Sequence, residues 1–514
     1  MDRREFFRVS AAAAGIVPLA GPVACGRGPA GSSSRPNILF ICTDQFNGSC
    51  AHYAGHPLVY TPNLDRLARR GTVFTNCYSN SPVCVPARAA LFTGFYPHEV
   101  EAYDNAAPFD GRFPTWANRL TASGYLCRAT GKLDFRAGRD YGMQEFETEH
   151  GHGPSPDITA YFRNPIVPRI DSREQIEAFI DERPSPDEKY VAEALRFLDR
   201  DLPGLGRKPW MQYAGLVSPH PPWRVPERFY RMYPPDNILL PELPGGWPPQ
   251  LHPELAGLNH YNMFDLAPFP EGNILRARAA YYGSITMLDE WVGQIMQALE
   301  NSGALKNTLV VFTSDHGEML GEHGMWFKSC FYDNAARVPL IIAGPGFPSG
   351  RVDSPVSHVD LAATLLEIAG LPPFEGLRGR SLQPLAAGAE SGAERWAYGE
   401  LNNEGNLTGV FWVRKAEWKY VHFVGMEPLL FNLPEDPGEF ENLAGQEKYR
   451  EEEKSLKELL FDTVDPEKIS AAAFADQRRM LELDLARLDD PQVYRGYERR
   501  LGQEFAEKLK AGRL

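Results

Sequence analysis

Short apolar runs alternate along the chain with longer segments in which apolar residues recur at helical spacing. Runs with almost no polar position are typical of strands buried on both faces, and they lie at 37–43, 73–78, 125–130, 210–217, 308–314 and 339–343. A 3.6-residue period indicates helices at 62–70, 86–92, 114–123, 189–200 and 274–301. This alternation predicts an α/β fold with a large mixed, mostly parallel sheet flanked by helices. Thr61, before Pro62, is expected to cap the first helix.

The pattern changes beyond residue 385, where Ala, Gly and Glu accumulate in a predicted linker. Short strands separated by turns follow at 409–414, 418–423 and 428–432. From residue 449 onward the chain is charged and helical, and this tail offers a contact for oligomers. We therefore expect a large domain at 35–385 and a smaller antiparallel-sheet subdomain with the helical tail at 395–514.

The first 34 residues have the pattern of an export signal rather than of a folded element. A moderately apolar stretch at 11–24 follows Arg3-Arg4-Glu5-Phe6-Phe7-Arg8, as in twin-arginine signals. We therefore expect an exported protein in the periplasm or at the cell surface, with Cys25 as a poorly matched lipidation site. The rest of the sequence contains no apolar run long enough to span a membrane.

Charge and cysteine content limit the partners that the chain can have. The 514 residues carry a formal net charge of −14, which argues against nucleic acid and anionic membranes. An anionic substrate would therefore need a locally positive site. The seven cysteines have no paired spacing and no CxxC arrangement, so they predict neither a zinc site nor a disulfide framework.

One of the cysteines, Cys84, has an unusual setting. In Cys84-Val85-Pro86-Ala87-Arg88, the proline restricts the backbone and the arginine places a fixed charge near the sulfur. The helix predicted at 86–92 has Gly94 as its stop. Cys84 is therefore expected near a helix N-terminus, where backbone N–H groups favour an anion.

Polar side chains follow four of the predicted strands at their carboxyl ends, the edge beyond which open α/β sheets bind ligands. They are Asp44, Gln45, Lys132, His220, Asp315 and His316. Taken alone, such a residue is more often a cap or a satisfied polar group than a ligand. Together, beside Cys84, they predict a functional site at one edge of the sheet.

The chemistry of this set suggests a metal ion and an anion. Asp44, Gln45 and Asp315 offer oxygen ligands beside the single imidazole of His316, which suits Ca²⁺ better than zinc, with Mg²⁺ or Mn²⁺ as alternatives. Positive charge comes from Arg88, Lys132, His220 and Lys328. A transferring anionic group needs such cations around it as its bond breaks.

From about residue 35 to residue 443, the chain resembles type I sulfatases of the alkaline phosphatase superfamily. The resemblance rests on ordered motifs, which are Cys84-Val85-Pro86-Ala87-Arg88 with Thr93-Gly94, Gly131-Lys132, Ser218-Pro219-His220-Pro221, Ser314-Asp315-His316-Gly317-Glu318 and Arg337-Val338-Pro339-Leu340. It implies an alkaline phosphatase-like fold and hydrolysis of sulfate esters.

The resemblance also implies a role for each motif residue. A maturase would oxidise Cys84 to formylglycine, which would serve as the nucleophile and complete the metal shell. Arg88 and the metal would activate one hydroxyl of the hydrated aldehyde. Lys132 and Lys328 would hold the sulfate oxygens, and His220 would protonate the leaving alcohol.

Two positions depart from the family pattern. Gln45 stands where many relatives have Asp, and Asp134 stands where many have His, which leaves the base for sulfate elimination open. Gly131-Lys132-Leu133-Asp134 is similar to the arylsulfatase K branch of the family. Tyr103-Asp104-Asn105-Ala106-Ala107 and the tail resemble the choline sulfatase branch instead.

A small sulfated carbohydrate is the substrate that we expect. The Pro-rich stretch 219–270 predicts a surface excursion that carries substrate contacts. Trp223 and Tyr103 would pack on the sugar, and Arg224 would pair with a uronate carboxylate, with Asp134 nearby. These side chains could equally pack against the domain surface. The alternatives are choline sulfate, a phosphonate monoester or phosphodiester, and a non-catalytic binding protein on the same fold.

Overall fold

The strands and helices follow the apolar pattern of the sequence closely. The computed structural model describes residues 35–106, 108–136, 138–147, 158–163, 165–176 and 179–512. Its strands are β1 (Asn37–Thr43), β2 (Thr72–Phe74), β3 (Cys77–Tyr78), β4 (Leu126–Gly131), β5 (Glu145–Glu147), β6 (Phe179–Ile180), β7 (Trp210–Gly215), β8 (Arg224–Val225), β9 (Thr308–Ser314), β10 (Arg337–Val338), β11 (Leu340–Ala343), β12 (Gly350–Val352), β13 (Val356–Ser357), β14 (Trp396–Leu401), β15 (Val410–Lys415), β16 (Trp418–Phe423) and β17 (Met426–Asn432).

Its α-helices are α1 (Pro62–Arg70), α2 (Cys84–Thr93), α3 (Trp116–Ala122), α4 (Pro186–Arg196), α5 (Glu227–Tyr230), α6 (Pro253–Tyr261), α7 (Glu271–Asn301), α8 (Asp333–Ala336), α9 (His358–Ile368), α10 (Gln383–Ala386), α11 (Arg450–Thr463), α12 (Pro466–Leu485), α13 (Pro491–Leu501) and α14 (Gln503–Lys510). Among the described residues, no helix is both long and apolar enough to cross a membrane.

Eight strands form the central sheet in the order β12-β2-β11-β9-β1-β7-β4-β5. Strand β11 runs antiparallel to its neighbours β9 and β2, and the remaining pairs are parallel. The sheet is therefore mixed and mostly parallel, which confirms the predicted fold class.

Strand β1 shows why the apolar runs have no polar positions. Its side chains alternate between two buried layers, because successive residues of a strand point to opposite faces. Leu39 and Ile41 pack in the cluster that contains buried residues of α1, α4 and α7. Ile38 and Phe40 pack in the cluster that contains buried residues of α2, α3 and α9. Helices cover both faces, so an uninterrupted apolar strand is required.

The register of the parallel strands brings their carboxyl ends to one edge. Thr43 of β1 lies opposite Ser314 of β9, so the next residues in each strand are neighbours. Gly215 of β7 lies opposite Cys42 on one side and Gly131 of β4 on the other. The side chains that follow β1, β4, β7 and β9 can therefore share one site.

A second, four-stranded antiparallel sheet, β14-β15-β16-β17, forms the predicted small sheet. Three of its strands agree with the predicted ones to within two residues, but β14 was missed. It follows directly on the Ala/Gly/Glu-rich stretch, and its Glu400 is buried, where it accepts a hydrogen bond from the backbone of His98 (2.6 Å). The division at residues 385–395 stays a prediction, since residues 35–514 form one unit by their contacts.

Two other predicted elements differ from the structure. The strand predicted at 73–78 is split between β2 and β3, which belong to different sheets. Thr75 and Asn76 between them donate instead to the carbonyl groups of Val352 (3.0 Å) and Asp353 (2.7 Å). The helix predicted at 189–200 is regular only to Arg196, and a wider turn, Phe197–Asp201, follows.

The tail packs on its own chain in this structure. Tyr497 and Leu501 of α13 are buried in one cluster with Ala160 and Tyr161 from the middle of the sequence. The oligomer contact expected for this tail stays a prediction. The export signal predicted at 1–34, with Cys25, lies outside the described residues. The six cysteines that the structure describes are all free and buried.

Candidate active site

Two carboxylates meet where β1 and β9 end. Asp44 and Asp315 are fully buried, and both follow strands that are in register. The backbone N–H of Gln45 donates to Oδ1 of Asp315 (3.2 Å), and the N–H of Asp315 donates to the carbonyl of Thr43 (3.3 Å). These bonds hold the ends of the two strands together and orient the Asp315 side chain.

Cys84 lies beside these carboxylates. It is the first residue of α2, two positions before the predicted start, and Gly94 ends that helix in the left-handed conformation as predicted. The Cys84 sulfur is 3.8 Å from Oδ2 of Asp44 and 3.3 Å from Nε2 of His316. Burial, followed by the charge of Asp44, raises the pKa of the thiol to about 12. The unmodified thiol is therefore protonated at neutral pH and is a poor nucleophile.

Four of the five expected metal ligands form one buried cluster. Ligand atoms of Asp44, Cys84, Asp315 and His316 all lie within 4.8 Å of one another. His316 Nδ1 is 3.0 Å from the carbonyl of Gly317, which leaves Nε2 directed at the cluster. Two carboxylates and one imidazole are a donor set that suits a hard divalent cation.

Gln45, the fifth expected ligand, is held by partners at both ends of its amide. Its Oε1 accepts a hydrogen bond from Nζ of Lys328 (2.9 Å), and its Nε2 donates to Oε2 of the buried Glu318. The other carboxylate oxygen of Glu318 accepts from the backbone N–H groups of Leu320 (2.9 Å) and Phe327 (2.8 Å). Glu318 therefore fixes which end of the Gln45 amide faces the cluster.

Two lysines bring positive charge to the same place. Nζ of Lys328 is 3.1 Å from the Cys84 sulfur. Nζ of Lys132 bonds Asp44 and lies 3.0 Å from Oδ2 of Asp134. Burial opposes the charge on Lys132, but Asp134 and Asp44 outweigh it and raise its pKa well above the usual value. Burial likewise opposes ionisation of Asp44, yet Lys132 and other cations hold its pKa well below the usual range.

Arg88 lies behind the cluster rather than on its open side. It is fully buried, its Nε donates to Oδ2 of Asp315 (2.9 Å), and its Nη1 donates to the Tyr213 hydroxyl (2.9 Å) and to the carbonyl of Lys132 (2.8 Å). Tyr213, which no sequence motif indicated, thus helps to support the site. Arg88 does not line the cavity in front of Cys84. Its contacts position Asp315 and the backbone of Lys132.

His220 is half-buried in the loop between β7 and β8. Its Nδ1 lies 2.6 Å from the carbonyl of Pro221, which can only accept, so Nδ1 carries the proton and Nε2 is the remaining ring nitrogen. Burial, and next the charge of Lys328, lowers the pKa of His220 well below its usual value.

The cluster opens into a cavity of about 300 Å³. Its walls include the expected residues Gln45, Cys84, Lys132, Asp134, His220 and Lys328. They also include Asn105 of the motif at 103–107 and Asn262 of the predicted excursion 219–270, together with Arg169, Gln175, Arg499 and Arg500, which the sequence did not indicate. These six come from loops and from α13, and only the tertiary fold brings them together.

The structure does not bring three of the proposed substrate residues to this cavity. Tyr103 packs against the small sheet, in one cluster with Tyr398 and Phe411. Trp223 is 1% exposed, and its indole N–H donates to the carbonyl of Pro219 (3.0 Å). The Pro-rich excursion folds back on the domain, so its large aromatic residue contributes to the core.

Arg224 is the third of these residues. It pairs with Asp181 (3.1 Å) on the surface and lines a neighbouring cavity of about 380 Å³, which shares His220 and Pro221 with the first. The motif that contains Tyr103 does reach the active-site cavity, but through Asn105.

Comparisons with known proteins agree with this geometry. The family model described as Sulfatase matches residues 36–371, and one described as N-sulphoglucosamine sulphohydrolase, C-terminal, matches residues 321–465. The chain is 34% identical to choline-sulfatase of Rhizobium meliloti (strain 1021) over 80% of this chain and 83% of that protein. It is 29% identical to arylsulfatase K of Xenopus laevis over 88% and 87%.

The chain is also similar to a solved structure. The phosphonate monoester hydrolase of Agrobacterium radiobacter superposes with a TM-score of 0.67 at 28% identity, over 85% of this chain and 96% of that one. The Sulfatase model covers well over half of the chain, and the named relatives are matched over most of their length. The chain therefore belongs to the sulfatase family, as a sulfuric-ester hydrolase on the alkaline phosphatase-like fold.

Proposed function

We propose that the protein hydrolyses the sulfate ester of a small carbohydrate through a formylglycine formed from Cys84. The observation that carries this proposal is the position of Cys84, at the head of α2, between the buried carboxylates and the cavity. As a hydrated aldehyde, residue 84 would supply one hydroxyl for attack on sulfur and a second one to release sulfate.

Asp44, Gln45, Asp315 and His316 would hold the divalent cation, for which Ca²⁺ fits best and Mg²⁺ or Mn²⁺ are alternatives. The cation would supply positive charge beside the nucleophile and the sulfate oxygens. Arg88 would keep Asp315 in place from behind, through the bond at 2.9 Å.

The lysines would bind the sulfate group. Lys328 lies 3.1 Å from the sulfur of Cys84, so its ammonium group is close enough to hold an oxygen of an ester at that residue. Lys132 would hold a second oxygen, while Asp134 keeps its ammonium group in position at 3.0 Å. Burial opposes the charge on both lysines, but Asp134 and Asp44 raise the pKa of Lys132, and Cys84 and Asp44 raise the pKa of Lys328, above the usual value.

His220 would protonate the leaving alcohol through Nε2, since Nδ1 is bonded to Pro221. Lys328 lowers the pKa of His220 in the free protein, after burial. An anionic sulfate between the two residues would oppose that effect and favour the protonated imidazole. The acid would thus form when the substrate is bound.

A carbohydrate is favoured by the polar walls of the cavity. Asn105, Gln175, Asn262 and Glu404 offer hydrogen-bonding groups for several hydroxyls, and Tyr261 adds an aromatic ring. A volume of about 300 Å³ is at the lower end of the range for small-molecule sites, which suits a single sugar unit.

The proposal also includes the route by which the protein matures. A formylglycine-generating maturase would be its partner before export, and the predicted twin-arginine signal at 1–34 supports a periplasmic or cell-surface location. Fusion of residues 1–34 to a reporter that needs export, with Arg3 and Arg4 changed to Lys in the control, would test this route.

Conversion of Cys84 tests the mechanism. In protein made together with a maturase, peptide mass spectrometry should show the Cys84 peptide lighter by the difference between a thiol and an aldehyde. Cys84→Ala should abolish turnover of sulfate esters, whereas Cys127→Ala, a second buried cysteine, should retain it. Full activity of Cys84→Ala would contradict the mechanism.

A phosphonate monoester or phosphodiester hydrolase is the second candidate, because a phosphonate monoester hydrolase is similar over 85% of the chain. Parallel assays on 4-nitrophenyl sulfate and on 4-nitrophenyl esters of phosphorus separate the two activities. The alternative of a non-catalytic binding protein is not retained, since the chain is a member of a hydrolase family.

A further inference from the structure

We propose that Tyr281 is a positioning residue of the metal site, because its hydroxyl group holds Gln45 in the backbone conformation that directs the Gln45 side chain to the cluster. This inference rests on the proposed function, since it concerns how one ligand of the proposed cation is kept in place. Tyr281 lies on α7, is fully buried and does not line the active-site cavity. It therefore acts on the site through Gln45 and not by contact with the substrate.

The backbone of Gln45 has an unusual conformation for its residue type. Its φ is 66°, in the left-handed region that favours glycine and, among the other residues, asparagine, aspartate and histidine. Such a conformation costs free energy and persists only where the surrounding structure holds it. Gln45 follows Asp44 at the end of β1, so its backbone angles decide where the chain leaves the sheet and where the amide points.

The hydroxyl group of Tyr281 supplies two of the contacts that hold this turn. It donates to the carbonyl of Gln45 (2.8 Å) and accepts from the backbone N–H of Asn47 (2.9 Å), so it bridges the peptide groups on either side of Phe46. These three residues are at most 1% exposed, so bulk water cannot satisfy their backbone in place of the hydroxyl. Burial raises the pKa of Tyr281 well above its usual value, and the hydroxyl therefore keeps the proton that it donates.

Tyr281 is itself fixed by its surroundings. Its ring packs edge-on against the indole of Trp223, with the ring centroids 5.9 Å apart and the planes at 79°. Both side chains belong to the hydrophobic cluster that contains Leu39 and Ile41 of β1. Tyr281 thus connects the long helix α7 to the turn that follows β1.

The neighbouring ligand Asp315 depends much less on Tyr281. The N–H of Gln45 donates to Oδ1 of Asp315 at 3.2 Å. However, the N–H of His316 donates to the same oxygen at 2.8 Å, and Nε of Arg88 donates to Oδ2 at 2.9 Å. These two donors keep Asp315 in place if the turn shifts. Loss of the Tyr281 hydroxyl should therefore affect the metal site through the side chain of Gln45.

The test is a calcium titration of metal-free protein with Tyr281→Phe, which removes the hydroxyl group and keeps the ring. The Ca²⁺ affinity should fall about 10- to 100-fold, the usual effect of losing a group that orients a metal ligand. The matched control is Tyr233→Phe. Tyr233 is also buried, and its hydroxyl accepts from the backbone N–H of Tyr60 (2.9 Å), but neither residue belongs to the metal cluster. Its loss should leave the Ca²⁺ affinity unchanged.

A double-variant cycle shows whether the hydroxyl acts through Gln45. Gln45→Ala removes the amide ligand, so adding Tyr281→Phe to that variant should change its Ca²⁺ affinity by less than about threefold. Saturating Ca²⁺ should restore the kcat of matured Tyr281→Phe on 4-nitrophenyl sulfate, because the hydroxyl does not contact the substrate. If Tyr281→Phe does not fold without metal, the dependence of its thermal midpoint on Ca²⁺ concentration gives the affinity instead.

Three results would overturn the inference and leave the proposed function intact. The first is a Ca²⁺ affinity of Tyr281→Phe within about threefold of that of the unmodified protein. The second is a loss that persists in the Gln45→Ala variant, and the third is a kcat that stays low at saturating Ca²⁺. By contrast, unmodified protein that binds none of Ca²⁺, Mg²⁺ and Mn²⁺ would contradict the metal site of the proposed function itself.

Discussion

At the scale of single residues, the amide of Gln45 shows how buried contacts fix the direction of a neutral side chain. An amide can present either its oxygen or its NH₂ group, and only the oxygen can bind a cation. Glu318 accepts from the NH₂ group and is itself fixed by two backbone N–H groups. The carboxylate is fully buried, so its orientation is well determined.

Glu318→Gln should therefore turn the Gln45 amide around. The new NH₂ group would face Gln45, because the oxygen is needed by the N–H groups of Leu320 and Phe327. We expect Ca²⁺ affinity to fall about 10- to 100-fold, measured by calcium titration of metal-free protein. The double variant Glu318→Gln/Gln45→Glu should regain affinity, since a carboxylate at 45 accepts from the new amide. Unchanged affinity in the single variant would contradict this role.

At the scale of elements, strands were easier to predict than the contacts between them. Strands β1 and β9 have the predicted bounds, because burial on both faces leaves an unmistakable apolar run. The split between β2 and β3 was not predictable, since the carbonyl groups of Val352 and Asp353 that bind the intervening residues are distant in sequence. Likewise, Arg499-Arg500 has the sequence of a solvent-exposed helix end, and only packing of α13 brings it to the cavity.

The start of α1 is a further example of a contact that could not be predicted from the sequence. Thr61 is at the N-cap position, but its hydroxyl accepts from the backbone of His52 (2.9 Å) instead of capping the helix. Asp289 of α7 caps it from outside, accepting from the N–H groups of Asn63 (3.0 Å) and Leu64 (2.7 Å). The helix therefore begins where predicted, with a tertiary cap in place of the local one.

Asp289→Ala should lower the free energy of unfolding by about 2 kcal/mol, because it leaves buried N–H groups of α1 without an acceptor. Glu290→Ala is the matched control on the same helix. Its carboxylate pairs with Arg228 at the surface (2.9 Å), and its loss should cost under about 1 kcal/mol. Urea unfolding of both variants measures the difference, and equal midpoints would show that Asp289 is not the cap.

At the scale of the whole molecule, the tail completes a cavity whose other walls come from distant parts of the sequence. Tyr497 anchors it and is 0% exposed, in contact with the cluster around Tyr161. The end of the tail, α13 and α14, packs in a hydrophobic cluster with Ala160 and Tyr161 that is separate from the clusters of the central sheet. It can therefore open without unfolding of the sheet.

Tyr497→Ala should raise the rate of tryptic cleavage within 486–512 by about 100-fold, since removal of a buried aromatic ring costs about 3 kcal/mol. Tyr494→Ala, a half-buried tyrosine of the same helix, should raise it much less. Circular dichroism should show the central fold unchanged in both variants. Equal cleavage rates would mean that the tail is held mainly by other contacts.

The burial of Cys84 also determines whether its oxidation comes before or after folding. A side chain that is 4% exposed, beneath two strand ends, a helix and two lysines, is out of reach of another enzyme once the chain has folded. Under the proposed mechanism, its oxidation must therefore come before α2 docks on the sheet. After folding, the thiol can no longer be oxidised. A chain that folds with its thiol intact is therefore a stable but permanently inactive protein.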